Sequence, residues 1–206
     1  RCVAVTGRRF RAPLHYHPEL ELTWILESSG HRLVGDSLRP FGPGDMVLLG
    51  PNVPHVWINP ATCRCARAVV LQFLPGFAGE DWLQLAEMGP VRALLDRSLG
   101  GLVFSQATRE AVVPLLWRLL SAQGPLRLAV FLEVLALLAA DPGLPVLRHV
   151  EGQMPAAVIS NADSVRIGKV LCHLAGHFRE TVRQTDLARQ VGLSPAAFSR
   201  FFMRAT

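Results

Sequence analysis

Two histidines and two carboxylates alternate along one short stretch, "HYHPELE" over residues 15–21, and His55 follows in "PNVPHVWIN" with Asn59 four residues on. Imidazole nitrogens and a carboxylate are donors that suit zinc, iron or manganese, particularly when a coordination position stays open. The same side chains can instead line a pocket and hydrogen-bond a small molecule. A third reading makes them structural or solvent-exposed, because Pro18 and Glu19 favour an edge or a turn. In a strand, successive side chains point to opposite faces, so His15, His17 and Glu21 share one face and Leu20, Leu22 and Trp24 the other. Both site readings require the histidine face to point inward, whereas the leucines are expected to build the barrel core.

Those residues need a scaffold. Residues 2 to 75 carry short β-like runs, "CVAVT", "ELELTWILE", "HRLVG", "DMVLLG", "HVWIN" and "RAVVLQFL", separated by Gly, Pro, Asn and Ser. Such runs at intervals of roughly ten residues predict an antiparallel barrel or sandwich. After Phe77 the apolar residues fall three and four apart, as in amphipathic helices. Thr108 is the expected cap of the second helix, Pro114 predicts a kink or a later start, and Gly124-Pro125 a short break before an antiparallel partner. Val112, Leu115, Leu116, Leu119, Phe131, Leu135 and Leu138 make this hairpin either core or a surface for pairing two chains. Residues 142–162 hold Pro, Gly and Ser without a sustained period and read as a linker.

The chain has 206 residues, half of them apolar and 18% charged, enough for a sizeable core and against a disordered chain. The longest apolar tract, residues 126–140, is interrupted by Arg127 and Glu133 and reads as a buried helix rather than a membrane span. No basic-then-apolar leader is visible, and Cys2, Cys63, Cys65 and Cys172 make no dense disulfide framework, so a reduced, cytoplasmic setting is expected. Both ends look cut: the sequence begins at Arg1 and stops at Thr206 directly behind a helical stretch. The net charge of +5 is uneven, with seven Lys/Arg against three acids in residues 163–206 and fourteen against thirteen elsewhere. A basic tail on a near-neutral body points to a polyanion as the tail's partner.

That tail reads as three helices. The first carries an apolar stripe to about Phe178; Thr185 is expected to cap the second, which ends at Gly192; Ser194 and Pro195 open the third. "TDLARQVGLSPAAFSRFF" is thus helix, short turn and helix, the helix-turn-helix pattern. Leu187, Ala188, Val191, Leu193, Phe198 and Phe202 form its small core, which leaves Ser194, Ala196, Ser199, Arg200 and Arg204 on the outer side. Small residues allow close approach to a major groove, and arginine offers the fork that guanine matches.

"LARQVGLSPAAFSRFFMRAT" resembles the first helix-turn-helix of the AraC-type (AraC/XylS) bacterial transcription regulators. "HYHPELELTWILESSGHRLVGD" and "FGPGDMVLLGPNVPHVW" resemble that family's cupin-like sensing domain. The resemblance implies two helix-turn-helix units joined by a long helix, with base-facing positions here at Ala196, Ser199 and Arg200, and Arg200 as main base reader. The second unit is absent from these 206 residues, so this form is expected to bind operator DNA weakly if at all. The resemblance also gives His15, His17, Glu21 and His55 the role of effector-pocket lining without a resident metal. The alternative is a metal-dependent cupin enzyme of dioxygenase or isomerase type, with the same four residues binding Zn, Fe or Mn.

The resulting expectation is an α+β chain: a cupin-like antiparallel barrel over residues 1–77, a helical dimerisation region over 78–141, a linker over 142–162, and an all-α helix-turn-helix over 163–206. Its expected role is that of a non-enzymatic transcription regulator, a homodimer through the central helices, with double-stranded operator DNA and a small-molecule effector as partners and no membrane. Trp24 and Trp57 are core residues or stacking platforms. Cys63 and Cys65 lie on opposite faces of an expected strand and are read as buried. His173 and His177 lie one turn apart on a helix surface.

Overall fold

The computed structural model describes residues 1–35, 37–79, 81–145, 166, 167, 169, 170, 173, 174, 177 and 180–205, the last two by backbone alone. Seven strands come first: β1 (Cys2–Gly7), β2 (Leu20–Glu27), β3 (Gly30–Val34), β4 (Ser37–Phe41), β5 (Met46–Leu49), β6 (His55–Ile58) and β7 (Ala66–Phe73). Helices α1 (Gly89–Arg97), α2 (Gln106–Ser121) and α3 (Gly124–Ala140) follow, with two short strands, β8 (Leu102–Val103) and β9 (Leu144–Pro145). In the tail lie α4 (Gln184–Gln190) and α5 (Pro195–Ala205). No described helix is long and apolar enough to cross a membrane.

All the strand pairings are antiparallel, in two sheets ordered β1-β7-β2-β5-β8-β9 and β4-β3-β6. The sheets form a sandwich that is not hydrogen-bonded round into the closed barrel expected from the sequence. Outside the ladders an isolated backbone bridge pairs His15 with His55, their N–H groups donating to each other's carbonyls at 3.1 and 2.9 Å, and Arg32 on β3 is paired with Asp45 at the head of β5. The alternation in β2 explains the layering. Leu20 and Leu22 face α1–α3 with Met46, Leu48, Val69 and Leu71, while Ile25 faces the second sheet with Val47, Leu49, Val34 and Trp57. The leucines therefore build the helix-side core and not the space between the sheets, which resolves the parity conflict: β2 is buried on both faces.

The helical hairpin is core on its inner side. Val112, Leu115, Leu116, Leu119, Phe131, Leu135 and Leu138 are all buried, whereas Trp117, Leu126 and Leu128 remain 44%, 57% and 43% exposed. Ser105 caps α2 in place of the expected Thr108, its hydroxyl accepting from the Thr108 N–H at 3.3 Å, and Pro114 sits inside a helix that runs through it. Thr108 is used differently: its hydroxyl donates to Asp141 Oδ2 at 2.6 Å, beside the Ser105 N–H at 3.0 Å, while Asp141 Oδ1 accepts from Gly143 N–H at 2.7 Å. One carboxylate thus ties the start of α2 to the end of α3. A strand also intrudes on the expected linker, since β9 pairs with β8; residues 146–162 lie outside the described ones.

In the tail, Gly192 takes the left-handed conformation expected of it, φ 69°, and Ser194 accepts from the Ala197 N–H at 3.3 Å at the head of α5. The cap of α4 is Arg183 without a side-chain bond, not Thr185. Leu187, Ala188, Val191, Phe198 and Phe201 are buried, with Leu193 and Phe202 packed against them. The same apolar cluster includes Ile167, Val170, Leu14, Val56 and Ile58, so the tail's core is seated on the outer face of the smaller sheet. Of the expected first tail helix, Val165, Gly168, Leu171, Ala175 and Phe178 lie outside the described residues, as does Cys172.

Removing the Asp141 carboxylate leaves three donors without their acceptor, and lost hydrogen bonds to a charged group cost about 1.5–3 kcal/mol. Asp141→Ala should therefore lower the unfolding free energy by about 2 kcal/mol in urea denaturation; an unchanged midpoint would show that the α2–α3 tie contributes nothing.

Candidate functional site

The residues singled out by spacing do converge. One donor atom from each of His15, His17, Glu21 and His55 lies within 4.8 Å of the others. Glu21 comes from β2 on the face opposite the leucines, and His55 opens β6. His15 and His17 come from the segment before β2, His15 fixed by its bridge to His55 and His17 by an Asn52 N–H donating to its carbonyl at 2.8 Å. The histidines are therefore not strand neighbours of Glu21, as alternation suggested, but are folded back onto it. Their rings stand close, His15 to His55 at 4.3 Å between centroids and His17 to His55 at 5.2 Å.

The three imidazoles share one arrangement. Nδ1 of His15 faces the Pro13 carbonyl at 2.8 Å, that of His17 the Glu19 carbonyl at 3.1 Å, and that of His55 the Val53 carbonyl at 2.8 Å. A carbonyl only accepts, so each Nδ1 carries a proton and each neutral ring keeps its lone pair on Nε2, the pattern of oriented metal-ligating histidines. His55 Nε2 is buried without a hydrogen-bond partner among the described residues, and Glu21 Oε1 stands 3.8 Å away. Burial pulls the His55 pKa down to about 4, against the attraction of Glu21, so the ring is neutral at pH 7 with that lone pair exposed to the cluster.

Glu21 is the centre of the polar contacts. Its Oε2 meets His17 Nε2 at 3.1 Å and accepts from Gln72 Nε2 at 2.8 Å, and its Oε1 accepts from the Thr23 hydroxyl at 2.7 Å. Burial alone would raise its pKa; the His17 hydrogen bond, the nearby His55 and the Thr23 and Gln72 bonds hold it down at about 2. The same bond to Glu21 raises His17 above its ordinary range, outweighing the effect of burial. With Nδ1 already committed, the His17 Nε2–Glu21 contact needs a second ring proton or a cation in its place. The donor set thus fits a divalent ion, and where one is bound it supplies a Lewis acid and a position for an exchangeable ligand.

This cluster borders a cavity of about 540 Å³ between the β1-β7-β2 face and β6, lined inside by His15, Glu21, Thr23, Ile25, Trp57 and Gln72. Gln72 and Thr23 carried no signal in the sequence beyond their place in strands, and the carbonyl partners, outside the strands, carried none. Asn59 stays outside the donor set: its side chain accepts from the Phe10 N–H at 2.8 Å and donates to Ser28 Oγ at 2.6 Å. Trp24 belongs to the helix side, edge-on to Trp117 at 5.8 Å, whereas Trp57 lines the cavity. Cys63 and Cys65 precede β7 instead of lying in it and are half-buried, Cys63 Sγ donating to the Cys65 carbonyl at 3.3 Å. His173 and His177 stack at 4.2 Å.

At the other end of the chain, Ser194, Ala196 and Arg200 are exposed and Ser199 is half-buried. The Ser199 hydroxyl is engaged within the unit, donating to the Pro195 carbonyl at 3.2 Å and accepting from Gln184 on α4, which adds Gln184 to this surface. Arg204 lies on α5, its side chain outside the described residues.

No protein-family model matches the sequence, and no curated protein sequence does. Among solved structures, ToxT from Vibrio cholerae is similar over 99% of this chain and 93% of its own, at 10% identity and a TM-score of 0.39. The AraC-like transcriptional activator CuxR is similar over 91% of this chain and 61% of its own, at 11% identity and a TM-score of 0.39. A Cupin 2 conserved barrel domain protein from Salinispora arenicola CNS-205 is similar over 37% of this chain and 64% of its own, at 21% identity and a TM-score of 0.33. The chain thus spans less than two thirds of the length of the latter two.

The folded His55 resists protonation down to about 4, whereas the unfolded residue takes a proton near 6.5. Its contribution to stability is therefore present above pH 6.5 and lost as the pH falls toward 4. Glu21 adds a second loss, from 4.5 down to about 2. In chelator-treated protein the melting temperature should drop between pH 6.5 and 4, and His55→Asn should flatten that drop; parallel curves would remove His55 as its cause.

Proposed function

We propose that this chain is a ligand-regulated, DNA-binding transcription regulator, with a sensing module over residues 1–77, a chain-pairing region over 78–141 and a DNA-reading unit over 163–206. The observation that carries the proposal is the shared cluster in which the α4–turn–α5 core packs on the back of the sheet whose inner face lines the polar cavity. Ser194, Ala196, Ser199 and Arg200 would face the major groove from the head of α5, with Arg204 farther along it and Arg200 supplying the bidentate contact to guanine. Exposed Trp117, Leu126 and Leu128 support pairing of two copies through α2 and α3. The cavity reads as a binding site more than a catalytic one: among the described residues Glu21 is the one carboxylate lining it, and it is held ionised and so is not poised to donate a proton.

The test is selection of duplex DNA from a randomised pool, followed by anisotropy titration of the selected and a scrambled duplex at the same low salt. The preference for the selected duplex should fall about tenfold or more in Arg200→Ala, as expected for loss of a bidentate base contact. A preference that Arg200→Ala leaves unchanged would defeat the reading.

The orphaned His55 Nε2 favours a second reading, in which the four-donor cluster holds a divalent ion and the cavity serves a metal-dependent reaction. Zinc or manganese added to chelator-stripped protein should then raise the melting temperature, a ligand at a hundred times its Kd contributing about 2.7 kcal/mol. His17→Ala should abolish the increase. An increase that survives His17→Ala would place the metal elsewhere.

A further inference from the structure

The mouth of the cavity between the sheets is basic. Arg8, Arg9 and Arg11 line it, all three are exposed, and none has an ion-pair partner among the described residues. Phe10, in their midst, fixes the loop: its N–H is held by Asn59, and its ring lies 6.1 Å from that of Phe41. Asn59 is itself braced, donating to Ser28 Oγ at 2.6 Å and to the Ser29 carbonyl at 3.0 Å. The arginines therefore flank an anchored point rather than a free tail.

A donor waits deeper in. Trp57 lines the same cavity, is 9% exposed, and its Nε1–H has no acceptor among the described residues. Buried donors of this kind are ordinarily satisfied, and an indole N–H can only donate, so what completes it must bring an acceptor. The interior supplies none to the arginines either, because the Glu21 carboxylate is already taken by His17, Thr23 and Gln72. Planar guanidinium groups match carboxylate and phosphate oxygens in paired hydrogen bonds, and in a half-enclosed site such pairs are stronger than in open water.

We infer that the ligand of this cavity is a small organic anion, its carboxylate or phosphate group held at the mouth by Arg8, Arg9 and Arg11 and its body, which carries a hydrogen-bond acceptor, directed inward to Trp57. The inference rests on the cavity being the ligand site proposed above and adds the chemical class of the ligand. A neutral molecule would leave three cations uncompensated at the rim. A cavity of about 540 Å³ limits the anion to a compact one.

The test uses chelator-stripped protein, so that a metal cannot act as the anion's receptor, with 4-hydroxybenzoate and 4-hydroxyphenyl phosphate as probes and 4-hydroxybenzamide and 4-hydroxybenzyl alcohol as neutral counterparts. At least one anion should raise the melting temperature and change tryptophan fluorescence, with both neutral compounds inactive; whichever anion binds more tightly identifies the head group. The Arg8→Gln/Arg9→Gln/Arg11→Gln variant, changed only at exposed positions and checked for an unaltered circular dichroism spectrum, should bind that anion about tenfold or more weakly. The inference is overturned if neither anion binds, if the neutral compounds bind equally well, or if the variant retains full affinity. It is also overturned if the variant loses affinity for duplex DNA while its anion binding is intact, since the arginines would then serve nucleic acid. Failure of the regulator reading shows separately, in the DNA preference lost or kept by Arg200→Ala.

Discussion

The amino-terminal module depends on one carboxylate being kept charged although it is buried. Glu21 is 5% exposed, and an ion buried that deeply is tolerated only when paired and hydrogen-bonded. Its needs set the positions of others: Thr23 two residues on, Gln72 opposite it on the neighbouring strand, and His17 folded back from before the strand. His55 is drawn in across the gap, and the bridge through His15 joins the two sheets at that point. An apolar residue in place of Glu21 would spare the chain this desolvation, so stability alone does not account for the acid.

Around that group the sandwich is asymmetric. The larger sheet has helices on one face and the second sheet on the other, so β2 and β5 are buried on both sides. The smaller sheet meets the tail's apolar cluster on its outer side. Every layer therefore has a covered neighbour, and the polar cavity stays open toward the loop that carries the arginines.

The sequence made some of this readable and hid the rest for physical reasons. Strands β1, β2, β3, β5, β6 and β7 announce themselves through apolar runs between turn residues, and the four site residues through type and spacing. β4 gives no such run, because Arg39 and Pro40 interrupt its pattern on an edge, where proline is allowed. β8 and β9, two residues each, are below any periodic signal. Alternation in β2 was visible, but not that both faces would be covered, because Leu20 and Glu21 look like an inside and an outside until a second sheet is placed over the acid. The caps failed similarly: Thr108 and Thr185 have the right chemistry, and only tertiary contact shows that Asp141 claims the first hydroxyl. The open sandwich differs from the closed barrel in hydrogen bonds between sheets, which single-strand patterns do not encode.

Strand β6 is four residues long and has a different tenant on each side. His55 faces the polar donor cluster and Trp57 lines the cavity, whereas Val56 and Ile58 belong to the apolar cluster of the tail. Leu14 and His15 divide in the same way on the segment bridged to it. Consecutive residues of a strand are about 3.3 Å apart and share one stiff peptide plane between them. The two compartments are thus separated by the thickness of a single backbone, with no intervening layer to absorb a displacement. A displacement of the β6 backbone at Trp57 also moves the peptides that seat Val56 and Ile58, so the wall of the cavity and the footing of the helices share one strand.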